Sequence, residues 1–321
     1  MIYLDSCLAN VKTVAIGGHV RPDGDCVGSC LAVYNYICDN YPDIRTDVYL
    51  EPIPEKFTFL ENAGRIQQVN TASDLPSYDL FIALDCGDLN RLGDAAKLFT
   101  AAKRTLCIDH HLTNQSFADL NEVHPNASSA SELVWYTLDP EKVSKEIAEC
   151  LYLGIAHDTG IFQYSCTSSK TMRVAGELMD RGIDYPRIVD ETYYIRTYPQ
   201  QKIWGKALLD SCLFLDGKCI FSMVTRADME AFGVSAADLD GIVSELRSTA
   251  GVEVSAFLYE SEDGYKISLR SASYVDVAKI ALKFGGGGHA RAAGALAAGD
   301  ADTIRNRLLS EIEEQLCITE S

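Results

Sequence analysis

The first 160 residues alternate short apolar runs with helical periods, and that alternation limits the fold more than any other feature. VKTVAIGG (11–18), RTDVYLE (45–51), YDLFIALD (78–85) and RTLCID (104–109) read as strands. VGSCLAVYNYICDN (27–40) spaces Val27, Leu31, Tyr34 and Ile37 as one helical face, and SASELVWYTL (129–138) and SKEIAECLYLGIA (144–156) read as further helices. Strands separated by helices form a mostly parallel sheet covered on both faces. From 167 to 210 the chain reads as mainly helical, with TYYIRTYPQQ as a connector. A second unit then carries strands in CLFLDG, KCIFSMVT, EVSAFLYE and YKISLRS, and helices near 236–248, 274–283 and 301–316. The expected architecture is α/β. It comprises an N-terminal doubly wound, mostly parallel sheet (1–190), a helical connector (191–210), a smaller C-terminal α/β domain (211–321) and a cleft between the domains.

The 28 Lys and Arg against 46 Asp and Glu leave a formal charge of −18. A chain that coats long duplex DNA needs cations to displace counterions, so that class is excluded. A small phosphorylated substrate held by metals and a few Arg is not. Eleven Cys without a CxxC pair argue against a zinc ribbon or a disulfide framework and fit a reducing cytoplasm. The N-terminus has no signal-peptide pattern, and no apolar run reaches the ~20 residues of a membrane span.

Acids and imidazoles cluster after the predicted strands. GGHVRPDGD places His19, Asp23 and Asp25 behind the first, ALDCGD places Asp85 behind another, IDHH places Asp109, His110 and His111 behind a third, and GIAHDTG places Asp158 at a helix end. In a doubly wound sheet such positions converge at the carboxyl edge. Four carboxylates at contact distance cannot all stay ionised without cations. Four Asp and two His suit two divalent ions about 3.5–4 Å apart with one carboxylate shared. Mixed imidazole and carboxylate ligation favours Mn²⁺ over Mg²⁺. Taken singly, PDGD is a plain turn, an Asp after a strand is a helix cap, and SSxxE around Ser128 and Ser129 is a capping pattern. Together they describe a metal centre. His110 and His111 point opposite ways on an extended chain, so they have different tasks.

HVRPDGD, LDCGD, IDHH and AHDTG, followed by GGGGHARAAG near the C-terminus, resemble the DHH phosphoesterase superfamily with its associated C-terminal domain. At this length the layout is similar to the stand-alone nanoRNase/pAp phosphatase group. The resemblance implies that His19, Asp23 and Asp85 hold one cation, and Asp25, Asp85, His110 and Asp158 the other. It implies two Mn²⁺, with His111 facing the phosphate and Asp109 orienting an imidazole. It implies substrate contacts from Arg270, Ser271, Gly287, Gly288, His289 and Arg291, and a role near the site for Arg91. The implied substrates are short oligoribonucleotides and adenosine 3′,5′-bisphosphate (pAp). A phosphodiesterase for linear or cyclic dinucleotides, and a non-catalytic nucleotide-binding protein of the same fold, use the same residues. A homodimer is compatible with this reading, which leaves cleavage polarity and substrate length open. His124 and His157 are read as structural.

Overall fold

A computed structural model describes residues 2–70 and 75–319; the side chains of His289 and of 317–319 lie outside the described part. It divides into two compact units, Met1–Ile195 and Arg196–Ser321.

The first unit is built on six parallel strands: β1 (Thr13–Gly17), β2 (Arg45–Tyr49), β3 (Ile66–Gln67), β4 (Leu80–Leu84), β5 (Thr105–Asp109) and β6 (Leu120–Val123). Their order is β3-β2-β1-β4-β5-β6, so the chain steps outward from β1, returns, and steps the other way from β4. The reversal between β1 and β4 is the point where such sheets open a crevice. Every residue of β4 and β5 is buried. Alternate side chains enter two cores: Ile16, Leu80, Ile82, Leu84 and Ile108 on one face, Ala15, Phe81, Ala83 and Cys107 on the other.

Four helices carry or brace the site: α1 (Gly24–Asn40), α2 (Ala130–Thr137), α3 (Lys145–Asp158) and α4 (Ser169–Met179). Each opens on a side-chain cap, from Asp23, Ser129, Ser144 and Ser168 respectively. α1 and α3 pack closely because glycines remove side chains at the contact. A Cβ on Gly28 would stand 2.4 Å from the Cys150 carbonyl oxygen, and one on Gly154 2.0 Å from Ser131 Oγ.

The second unit holds β7 (Cys212–Phe214), β8 (Cys219–Val224), β9 (Val254–Ser261), β10 (Gly264–Ser271), β11 (Gly287–His289) and β12 (Ala292–Ala297) in the order β11-β12-β10-β9-β8-β7. Only β8 and β9 pair parallel. One face, with Leu258, Ile267, Leu269 and Ala295, packs on α7 (Val277–Lys283) and α8 (Ala301–Thr319). The other, with Ile220, Val224 and Phe257, packs on α5 (Tyr198–Leu209) and α6 (Ile242–Arg247).

The segment read as a connector divides between the units. Asp190–Tyr194 forms a π-helical turn in the first, while Ile203, Trp204 and Ala207 of α5 are buried in the second. β3 and β6, short and half-exposed, gave no apolar run to read. The β11–β12 hairpin was hidden because Gly and Ala are poor strand formers. Its glycines have a local cause: Gly288 sits at φ 145°, and a Cβ there would stand 2.5 Å from the Ala292 carbonyl oxygen. Among the described residues, no helix is long and apolar enough to cross a membrane.

The two kinds of helical glycine should respond oppositely to alanine. Gly28→Ala forces a backbone clash and should cost about 1–3 kcal/mol. Gly176→Ala, in open space on α4, should gain up to ~1 kcal/mol from helix propensity. Thermal melts should show a lowered Tm for the first variant and a raised one for the second. Equal shifts would overturn the packing argument.

Candidate metal centre

The carboxyl ends of β1, β4 and β5 and the C-terminus of α3 bring six side chains together. His19 Nε2 lies 3.3 Å from Asp85 Oδ2 and 3.6 Å from Asp23 Oδ2. Its Nδ1 donates to the Val20 carbonyl at 2.9 Å, which turns Nε2 toward the acids. His110 Nε2 lies 3.1 Å from Asp158 Oδ2, 3.4 Å from Asp85 Oδ1 and 4.0 Å from Asp25 Oδ2. Asp85 thus faces both imidazoles, one with each oxygen. Asp23 uses Oδ1 to accept from the Asp25 and Cys26 amides at the start of α1, and turns Oδ2 to His19.

Asp25 is fully buried and gripped at both oxygens. The Ala130 amide donates to Oδ2 at 2.6 Å and the Ser131 amide to Oδ1 at 2.9 Å. These are the first amides of α2, whose N-terminal end also favours negative charge. Ser129 caps that helix through the Glu132 amide, and buried Glu132 accepts from Ser128 and Thr171. Ser128 and Ser129 therefore build the cradle without facing the acids themselves.

His111 does not point away from His110 as an extended chain would have it: the two rings meet edge to face with centroids 5.0 Å apart, because the strand ends at Asp109. His111 Nδ1 meets Asp109 Oδ1 at 2.7 Å and stands 3.6 Å from Asp85. Asp109 is buried, and its other oxygen accepts from Asn114 Nδ2 at 2.6 Å. Asn114 also donates to the Cys86 carbonyl, so it ties the triplet to the residue after Asp85.

The electrostatics are those of a cluster that demands positive charge. Burial alone would lower His19 and His110, but Asp23 and Asp85 around the first, and Asp158 and Asp85 around the second, push both up to about 12. Burial and the charges of Asp85 and Asp158 drive Asp25 well above the carboxylate range. Burial, opposed by His110, lifts Asp158 to about 6. Against burial, the two imidazoles hold Asp85 below its ordinary value. A divalent cation can take the place of the imidazole protons in the same field.

The donor set fits such ions. His19, Cys26 and Asp85 form one group, Asp85, His110 and His111 a second, and Asp25, His110 and Asp158 a third, with the donor atoms of each within 4.8 Å of one another. Asp85 Oδ1 is buried without a hydrogen bond, an arrangement that is costly unless something else satisfies it. Asp85 also holds a left-handed backbone, φ 50°, a strain that gathers at functional sites. Cys26 Sγ stays a thiol, since burial drives its ionisation up.

Residues 13–155 match the DHH family, N-terminal domain, and residues 216–316 match the DHHA1 domain. The chain is 31% identical to the bifunctional oligoribonuclease and PAP phosphatase NrnA of Thermus thermophilus over 94% of this chain and 90% of that one. The chain belongs to the DHH family. It is also 28% identical to NrnA of Bacillus subtilis, over 88% of each chain. The crystal structure of an exopolyphosphatase-related protein from Bacteroides fragilis superimposes with TM-score 0.91 at 25% identity, covering 99% and 96% of the two chains. RecJ of Thermus thermophilus shares the fold, with TM-score 0.53 at 14% identity over 97% of this chain and 53% of that one. DHH phosphoesterases are metal-dependent.

In this DHH chain, His19, Asp23, Asp25, Asp85, His110 and Asp158 come together around the strand reversal, with Asp109 and His111 beside them. Arg91 follows the Asp88 cap of a 3-10 turn, and its buried Nε has no hydrogen-bond partner. The C-terminal candidates do not share one face. Arg270 projects from β10 with Ser268 and Lys266, while Ser271 and Arg291 lie on the opposite face, where Arg291 donates to Ser271 Oγ at 3.2 Å and to the Val275 carbonyl at 2.8 Å. Arg291 is thus partly committed to the fold. Gly287 and Gly288 stand in the edge strand β11. Asn114, the amides of Ala130 and Ser131, and Cys26 escaped the sequence reading; HHLTN offered Asn114 as a turn residue, but backbone donors have no sequence signature.

Divalent cation at a hundredfold excess over its Kd should stabilise the folded protein by about 2.7 kcal/mol. Thermal melts with and without cation should show the rise in Tm, and Asp85→Asn should remove it. The same rise in that variant would show the cation bound elsewhere.

Proposed function

We propose that this protein is a two-metal phosphoesterase that degrades short oligoribonucleotides to mononucleotides and removes the 3′-phosphate of pAp. What carries this reading is a likeness to bifunctional oligoribonuclease and PAP phosphatases over nearly the whole chain, together with a complete donor set around Asp85. His19, Asp23 and Asp85 would hold one cation, and Asp25, Asp85, His110 and Asp158 the other, with Mn²⁺ the preferred ion. Bound cations supply Lewis acidity and an acidified water, whose pKa falls from ~15.7 toward 7.

The chain's own residues do the rest. Asp109, itself fixed by Asn114, holds the His111 ring by Nδ1. Nε2 is then the atom that meets the scissile phosphate, offsetting its charge or protonating the departing 3′-oxygen. Arg270, on one face of β10, recognises the rest of the nucleotide; Ser271 and Arg291 on the other face, with Gly287, Gly288 and His289 of β11, would serve the substrate from a separate side. A planar guanidinium suits phosphate because its fork meets two oxygens at once. Arg91, whose buried Nε is unpaired, would serve the anionic substrate near the metals. A cytoplasmic setting accords with the free thiols.

Purified protein should hydrolyse pAp and two- to five-nucleotide RNAs, lose activity to chelator, and regain it better with Mn²⁺ than with Mg²⁺. Full activity in excess chelator would sink the metal reading. Asp85→Ala should lower kcat/KM at least ~10³-fold, about 4 kcal/mol. His111→Ala should keep bound metal while losing turnover; if His111→Ala loses the metal and His110→Ala keeps it, the two roles are reversed.

Arg270→Ala should mainly raise KM for pAp, by roughly 10–150-fold for one lost charge-assisted contact. A fall confined to kcat would place Arg270 in the chemical step instead.

A further inference from the structure

On the face of β10 that meets α6, Lys266 and Ser268 carry donors that neither the fold nor the proposed reaction uses. Lys266, Ser268 and Arg270 project from alternate positions of the strand. β9 places Tyr259 opposite Lys266 and Phe257 opposite Ser268. All five line a cavity of about 150 Å³ closed on the far side by Leu239, Asp240 and Val243.

Among the described residues, the side chains of Lys266 and Ser268 and the Tyr259 hydroxyl make no hydrogen bond or ion pair with the protein. Burial, with the Asp240 charge nearby, pushes the Tyr259 phenol up, so it remains a donor. An ammonium, a hydroxyl and a phenol thus converge on one cavity in a chain of net charge −18. On the other side of β10, the row continues from Ser268 across Gly294 to Gly287. No side chain rises there, and a Cβ on Gly287 would meet nothing within 4 Å. The surface is a strip of bare backbone beside two cations.

Successive outward residues of a strand stand about 6.8 Å apart, twice the rise per residue. Arg270 and Lys266 are therefore about 13–14 Å apart along the strand, with Ser268 between them. A single small anion cannot bridge that distance. A chain of phosphates with planar groups between them can. Cations along a groove with an aromatic ring beside them are the usual means of holding single-stranded nucleic acid.

We infer that the Lys266–Ser268–Tyr259 cavity is a subsite for the nucleotides of an RNA oligomer beyond those that Arg270 recognises. It rests on the function proposed above and adds length discrimination to it. Lys266 and Ser268 take a backbone phosphate, Tyr259 offers a ring edge and a hydroxyl, and Asp240 accepts from an exocyclic amine. pAp held at Arg270 is too short to span the roughly 13–14 Å along the strand to Lys266 as well.

The test compares wild type with Lys266→Ala. Binding of a fluorescent 5′-phosphorylated RNA five-mer is followed by anisotropy in chelator, across a salt series, and KM is measured with Mn²⁺ for the five-mer and for pAp. The variant should bind the five-mer about 10-fold more weakly, and its log Kd against log salt should be shallower by about 0.7, one phosphate contact on a single strand. Its KM for pAp should change less than about twofold. An unchanged slope with intact five-mer cleavage overturns the subsite and keeps the hydrolytic reading. A lysine-dependent slope in a protein that cleaves no RNA keeps the subsite and overturns that reading. Equal losses on pAp and the five-mer place Lys266 with Arg270 and overturn the subsite.

Discussion

Asp25 is the contact on which the catalytic unit hangs. It leaves the first turn of α1, crosses to the N-terminal end of α2, and takes two backbone amides there. Burying an ionised carboxylate is expensive unless it is hydrogen-bonded. The two amides and the helix end offset part of that cost, the rest calling for a cation, and in doing so fix α2 against α1. α3 must then approach over the same spot, which Gly154 permits by offering no side chain to Ser131 or Asp25. The end of α3 carries Asp158 to His110. Packing and ligand placement are one problem here: the helices can close only in the arrangement that assembles the acids.

The sheet supplies the other half. Because strand order reverses between β1 and β4, the turns that follow them diverge, and His19 and Asp85 line the gap. Asp85 is placed there by a strained left-handed backbone at the end of a fully buried strand. Strain of that kind costs about 1–3 kcal/mol and persists only where the surroundings over-determine it. The flanking pairings of β4 with β1 and β5 do so.

The first unit was largely legible because its strands are continuous apolar runs and its acids stand at their ends. Asp23, Asp25, Asp85, His110 and Asp158 could be named from that placement. The parts that stayed hidden have no side-chain signal: the amides of Ala130 and Ser131, the left-handed turn at Asp85, and the use of Asn114 as a tie as well as a turn residue. In the second unit the apolar strands β8, β9 and β10 were equally readable, but β11 and β12, made of Gly and Ala, were not. Alternation was read for what is buried, so Lys266 and Ser268, in one row with Arg270, passed as ordinary surface. Likewise, RS in SLRS looked like one contact, whereas pleating sends Arg270 and Ser271 to opposite faces.

The grip on Asp25 also sets an order of events during synthesis. The carboxylate leaves the ribosome more than 100 residues before the amides that hold it, Ala130 and Ser131, and Asp158 emerges later still. Domains fold as units while the chain is made. A nascent chain that has completed β1, α1 and β4 has His19, Asp23 and Asp85 in hand but no cradle for Asp25. Cation capture at the full six-residue cluster would therefore be a late step in biogenesis, open to a chain whose third helix is already docked.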